Sequence, residues 1–215
     1  MDLEPLTPER RRRQTREHLL EAAARVLAER GYHGASLDEV AAAAGFTKGA
    51  VYSNFKNKED LFLALLEWLH DREMAELRRT LDKSEIPPES RLTDFVALMR
   101  DQLVVSQTPG AWTALNLEFS LYAIRNEAVR VRLAEIERAV IESVAEIIEG
   151  ERERRGIHLD ETSSEVARII QALTRGLSIM RAIDPEALDE SFYRSTVNFI
   201  ARATAPVSEQ TTPIL

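Results

Sequence analysis

The chain has 215 residues, 44% of them hydrophobic and 30% charged, the balance of a water-soluble globular protein with room for one sizeable domain or a small one joined to a larger. It contains no cysteine, which excludes a disulfide framework and a thiolate metal site and accords with a reducing compartment. The formal net charge is −8, at first sight hostile to nucleic acid. From Thr7 to Lys58, however, ten lysines and arginines face six acids, so this stretch carries +4 and the remainder −12. A basic head on an acidic body is a local footprint for a polyanion. The N-terminus, Met-Asp-Leu-Glu-Pro, lacks the apolar core of a secretory signal. The most apolar run, residues 61 to 69, is interrupted by Glu67 and is too short to span a bilayer. These features predict a soluble, cytoplasmic protein with no membrane partner.

Taken in chain order, almost every segment has helical periodicity. Thr7-Pro8-Glu9 places a capping hydroxyl before a proline at the first helical position. Leu19, Leu20, Ala23, Val26 and Leu27 then form one face of a helix expected to end near Gly31. Ser36-Leu37-Asp38-Glu39 is a capping box, and its short helix stops at Gly45. Thr47 opens the next helix, to about Phe55, and Asn57 a longer one to about Ser84. Ile86-Pro87-Pro88-Glu89 breaks the chain and starts a helix through Phe95, Met99 and Leu103, ending by Thr108-Pro109-Gly110. A segment from Trp112 to Ile124 follows, then a long amphipathic helix from Asn126 through Ile147. The stretch from Gly150 to Asp160 reads as a charged loop, with a helical tail possible at its start. Thr162-Ser163-Ser164-Glu165 is a second capping box leading to a helix through Ile183. Asp184-Pro185-Glu186 starts the last helix, to about Ala203, and 205–215 reads as a mobile tail. The expected class is all-α with about nine helices. A helix-turn-helix head over 1–58 precedes a ligand-binding and dimerisation body over 59–204.

Residues 36 to 55 read SLDEVAAAAGFTKGAVYSNF, two short helices joined by a turn containing glycine. Val40, Ala41 and Ala44 on the first helix, with Val51 and Phe55 on the second, supply a small apolar seam that lets the two cross closely. Gly45 stands where a left-handed residue ends the first helix. Thr47-Lys48-Gly49-Ala50 begins the second with small or polar side chains able to enter a major groove.

This stretch resembles the TetR family of bacterial regulators. The resemblance rests on Ser36, Val40-Ala41, Ala44-Gly45-Phe46-Thr47, Gly49, Val51-Tyr52, Phe55 and Lys58-Glu59-Asp60-Leu61, together with the arginine-rich start of the first helix and Gly31-Tyr32. It covers about the first quarter of the chain. It implies that Ser36, Thr47, Lys48, Tyr52 and Lys58 contact DNA, with Gly49 and Ala50 letting the recognition helix approach the bases. The residue types suit those roles. Thr47 and Lys48 begin a helix whose amides favour phosphate, and Lys48 can alternatively reach guanine O6 or N7. Tyr52 offers a ring and a hydroxyl, and Lys58 suits a flanking phosphate. Ser53 and Asn54 stand where the family often carries an aromatic residue or histidine, so they are included among the DNA-facing residues without a defined role. Arg10 to Arg13 fit either backbone or minor-groove contacts or a solvated arm.

The resemblance further implies a double-stranded DNA operator as partner, a homodimer and a small-molecule effector. Val166, Ile169, Ile170, Leu173, Leu177 and Met180 stripe one helix and Phe192, Val197, Phe199 and Ile200 the next. From two subunits these would make a four-helix interface, although they could also simply close each monomer's core. Phe62, Phe95, Met99, Leu103, Trp112, Phe119 and Tyr122 would line a pocket for a largely apolar ligand, or serve as ordinary core. The function expected is a repressor released from a palindromic operator by its effector. Two rivals are a ligand-independent DNA binder and a helical-bundle enzyme. The enzyme has little support. Glu67-x-x-His70 has the spacing of di-metal bundles, but only one copy exists and it reads as helix surface. No catalytic residue, metal or cofactor is expected.

Overall fold

The computed structural model describes residues 7–82, 109–155, 160–186, 192 and 195. Among the described residues every regular element is a helix: α1 Pro8–Gly34, α2 Leu37–Ala44, α3 Lys48–Asn54, α4 Lys58–Asp82, α5 Pro109–Arg125, α6 Glu127–Arg155 and α7 Ser163–Ile183. The all-α expectation holds with seven helices where about nine were expected. The helix expected through Phe95, Met99 and Leu103, most of the one expected after Asp184, and the 205–215 tail lie outside the described residues.

Local chemistry sets the boundaries. The Thr7 hydroxyl accepts from the Arg10 amide, with Pro8 at the first helical position. Ser36 and Glu39 cap α2 reciprocally, and Thr162 and Glu165 do the same for α7. The Asn57 side-chain oxygen accepts from the Asp60 amide at 2.8 Å and opens α4. Gly45 ends α2 at φ 71°. Two boundaries differ from expectation. Gly31 (φ 70°, ψ 172°) kinks α1 without ending it, and one further turn runs to Gly34. Helix α6 passes through Gly150 to Arg155, where a loop was expected. A helix already six turns long tolerates one glycine, whose cost is about 1 kcal/mol.

The chain divides into two compact units, residues 1–69 with 114–136 and residues 70–113 with 137–215. The first is built on Leu19, Leu20, Ala23, Leu27, Val40, Ala41, Val51, Phe55, Leu61, Phe62 and Leu65, all buried, with Leu115, Phe119 and Ala123 of α5. The core of the second joins Met74 and Leu77 of α4, Val144, Ile147 and Ile148 of α6, and Ala167 and Ile170 of α7. Arg78 and Glu146 pair at 3.2 Å on its surface.

The second unit also carries a perturbed carboxyl. Burial pushes Glu73 up from 4.5 to about 7. The folded state then holds this proton more tightly than the unfolded chain does. The cost of ionising Glu73 is absent below about pH 4.5, grows through the interval, and is complete above about pH 7. Glu73→Gln is therefore expected to raise the urea midpoint at about pH 8 and to leave it nearly unchanged at about pH 4.5. An equal gain at both values would show that the carboxyl does not titrate there.

Candidate nucleic-acid interface

The head is organised so that one side of α3 is held and the other is left open. Val51 is 0% exposed and Phe55 1%, and with Val40 and Ala41 they clamp α3 to its neighbours. The opposite face presents Lys48, Gly49, Tyr52 and Ser53 to solvent, positions that share a face by helical geometry. Tyr52 is 56% exposed and so is not a core residue. Ser36 and Thr47 are exposed at the starts of α2 and α3. The Ser36 hydroxyl serves its own helix, accepting from the Glu39 amide at 3.2 Å and donating to the Glu39 carboxylate at 2.9 Å. That bonding holds the Glu39 carboxyl below its usual range. The Thr47 hydroxyl accepts from the Ala50 amide at 3.3 Å.

The remaining expected contact residues are more constrained than their sequence suggests. The Ser53 hydroxyl donates to the Ala50 carbonyl at 2.9 Å, and the Asn54 amide donates to the same oxygen at 2.8 Å. Both side chains lie back along α3. The Lys58 ammonium turns inward. It donates to the Ala35 carbonyl at 3.0 Å and to the His33 carbonyl at 3.3 Å, and sits 4.8 Å from the centre of the Tyr32 ring. Desolvation lowers its pKa. Lys48 is paired with Asp38 of α2, whose hydrogen bond and charge hold the ammonium above its ordinary value.

Several residues that orient this surface carry no local signal. Arg16 of α1 donates to the Asn54 carbonyl at 3.1 Å and covers the Phe55 ring at 4.5 Å, tying the end of α3 to α1. His18 stacks on Phe46 at 6.2 Å. Behind them, Tyr32 contacts Phe62 (5.6 Å), Phe119 (5.0 Å) and Tyr122 (5.3 Å), and Phe62 lies 4.2 Å from Phe119. The Tyr122 hydroxyl donates to Glu59, and Arg132 pairs with Asp60 at 3.2 Å. Burial, reinforced by Glu59, pushes the Tyr32 phenol up.

Three of the residues expected to line an effector pocket meet here. Phe62, Phe119 and Tyr122 form this aromatic cluster in the first unit. Trp112, half-buried, belongs to the second, and Phe95, Met99 and Leu103 lie outside the described residues. On α4, Glu67 is solvent-exposed and His70 half-buried, and burial lowers the His70 pKa.

A capped two-helix element with an open recognition face, followed by a longer helical body, defines the helix-turn-helix class of transcriptional regulator. Residues 19–65 match the family model "Bacterial regulatory proteins, tetR family", and residues 88–205 match "BetI-type transcriptional repressor, C-terminal". The chain belongs to the TetR family of DNA-binding transcriptional regulators. It is 32% identical over 151 residues to the repressor AcnR of Corynebacterium diphtheriae, covering 70% of each chain. The overlaps with two further relatives are shorter. Identity to AcrR of Shigella flexneri is 46% over 54 residues, a span of 25% of that protein, and the match to the repressor DhaR of Mycobacterium sp. spans 44% of it. Among solved structures, a TetR-family regulator from Rhodococcus sp. shares the fold with a TM-score of 0.72 and 23% identity over 89% of this chain and 98% of that one. The Bacillus subtilis regulator FadR, solved with stearoyl-CoA, does so at 0.68 and 19% identity over 88% and 99%.

Proposed function

We propose that this protein is a cytoplasmic repressor that binds a palindromic operator as a homodimer and is released by a small, largely apolar ligand. The observation that carries the reading is the open face of α3. Lys48, Gly49 and Tyr52 are exposed on a helix whose opposite side, Val51 and Phe55, is fully buried. With Ser36, Thr47, Ala50, Ser53, Asn54 and Lys58 they form the proposed DNA surface. Residues 1–58 read DNA, and 59–204 sense and dimerise.

The homodimer is supported by α7, whose Ile169 (54% exposed), Leu173 (40%), Met180 (50%) and Ile183 (80%) leave an apolar stripe in solvent. A second copy would bury it, and two-fold DNA sites are read by two-fold proteins. The Trp112 end of α5 belongs to the body. Ligand binding there would act on DNA through the same helix, since its later residues Glu118, Phe119 and Tyr122 pack on the head. The Bacillus subtilis regulator FadR was solved in complex with stearoyl-CoA, whose acyl chain is apolar, and this supports an effector with an apolar part here.

The test is selection of duplexes from a randomised pool, followed by footprinting and a salt titration. The expected product is an inverted repeat whose two half-sites are protected together. For six or more phosphate contacts its affinity should fall about 10³-fold or more between about 50 and 200 mM salt. Tyr52→Ala should weaken that complex about tenfold or more, the scale of one well-placed base contact. Its thermal midpoint should stay near wild type, because the side chain is mostly solvated. Selection of no sequence by the intact protein would overturn the reading, and unchanged affinity in the tyrosine variant would remove Tyr52 from the surface.

A further inference from the structure

We infer that Asp38 is a specificity-determining residue: by pairing with Lys48 it withholds that ammonium from phosphate in non-specific DNA complexes and releases it only to the selected sequence. The inference rests on the DNA-binding face proposed above and adds a residue that itself touches no DNA.

Asp38 sits in the first turn of α2 and Lys48 opens α3, ten residues on. One carboxylate oxygen of Asp38, Oδ2, takes the Lys48 ammonium. The other, Oδ1, is buried and has no hydrogen-bond partner. A carboxylate with one oxygen deprived of donors depends heavily on its remaining partner. Lys48 meets this carboxylate from the first residue of α3. The half-exposed carboxylate, with Oδ1 unpartnered, therefore favours keeping its lysine. The neighbouring acid, Glu39, differs. Its carboxylate is spent on the Ser36 cap and approaches Arg30 at 3.6 Å, so it makes no demand on the recognition helix.

Removing Lys48 to a phosphate would leave Asp38 unpaired beside a polyanion, a penalty met at every sequence. A phosphate offers an anion that is present at every sequence and that itself repels the stranded carboxylate. A guanine edge offers two acceptors, O6 and N7, in a fixed place, and only a duplex that presents them there repays the broken pair. Lys48 should then count in the selected complex and not in the random one.

Salt slopes read this directly, because each phosphate neutralised steepens the log–log slope by about 0.9. Two duplexes serve as probes, one of random sequence and one selected by the wild-type protein from a randomised pool. On the random duplex, Asp38→Asn is expected to raise affinity about threefold to tenfold at low salt and to steepen the slope by about 0.9 per lysine freed. Lys48→Gln alone should leave the random-duplex slope unchanged while weakening the selected duplex. Adding it to Asp38→Asn should restore the wild-type slope. The lysine side chain is 71% exposed, so that single variant keeps the test open even if the aspartate change disturbs folding.

A shallower random-duplex slope in Lys48→Gln overturns the inference, because the lysine would already serve phosphate. So does a steeper slope in Asp38→Asn that survives loss of Lys48, which would be a general charge effect. If the wild-type protein selects no duplex, the DNA-binding reading fails instead, and the two failures are distinct.

Discussion

Replacing Phe62 by alanine should lower the free energy of unfolding by about 3–5 kcal/mol, the range for emptying a fully buried aromatic site. The ring is 0% exposed, lies 4.2 Å from Phe119 and meets Tyr32 edge-on at 5.6 Å. It thus joins three parts of the first unit, the end of α1, the start of α4 and the middle of α5. Tight aromatic pairs add about 0.5–1.5 kcal/mol beyond the area they bury, which places Phe62 toward the upper end of the range. Urea unfolding followed by circular dichroism measures the loss, with Phe62→Leu expected to recover more than half. A loss below about 1 kcal/mol would mean that the space collapses freely, or that a bound ligand fills it. The second possibility would support the pocket-lining role expected for Phe62 from sequence.

Gly31→Ala should be comparably damaging, for a different reason. Gly31 adopts φ 70° and ψ 172°, a region essentially confined to glycine, where another residue costs on the order of 1–3 kcal/mol. A β-carbon there would stand 2.9 Å from Oε2 of Glu118 and 3.0 Å from its Oε1. The carboxylate can swing away, but it then gives up the bond it accepts from the Tyr32 amide at 2.8 Å. A bond to a charged acceptor contributes about 1.5–3 kcal/mol. The two effects together predict a loss of about 2.5–6 kcal/mol, read as a fall in the thermal midpoint. Glu118→Ala should cost less by itself, and Gly31→Ala in that background should cost only the backbone share. Strict additivity of the two would show that glycine and carboxylate act independently.

These two sites show where sequence reading succeeds and where it stops. Gly31-Tyr32 is visible as part of a family pattern, but the reason for the glycine is an α5 carboxylate 86 residues away in the hydrogen bond to Tyr32. Phe62, Phe119 and Tyr122 are apolar at helical spacing, and spacing cannot distinguish a pocket wall from a packed cluster. In the folded chain all three meet Tyr32. The same holds for Lys58, expected from the sequence to suit a flanking phosphate. In the folded chain it closes the end of α1 through two carbonyl groups.

What the sequence alone determined is what is local. The starts of α1, α2, α3 and α7, the left-handed turn at Gly45 and the seam of Val40, Ala41, Val51 and Phe55 depend on bonds and contacts between near neighbours in the chain. Their donors, acceptors and spacings are therefore written in a few letters. Tertiary structure decided which charges are committed and to what: Arg16 to the end of α3, Lys48 to Asp38, Arg132 to Asp60, Glu118 to Tyr32. A charged side chain has many possible partners at similar distances in an unfolded chain. Only the packing of helix against helix brings a single partner within about 3 Å, the separation at which an ion pair or hydrogen bond holds.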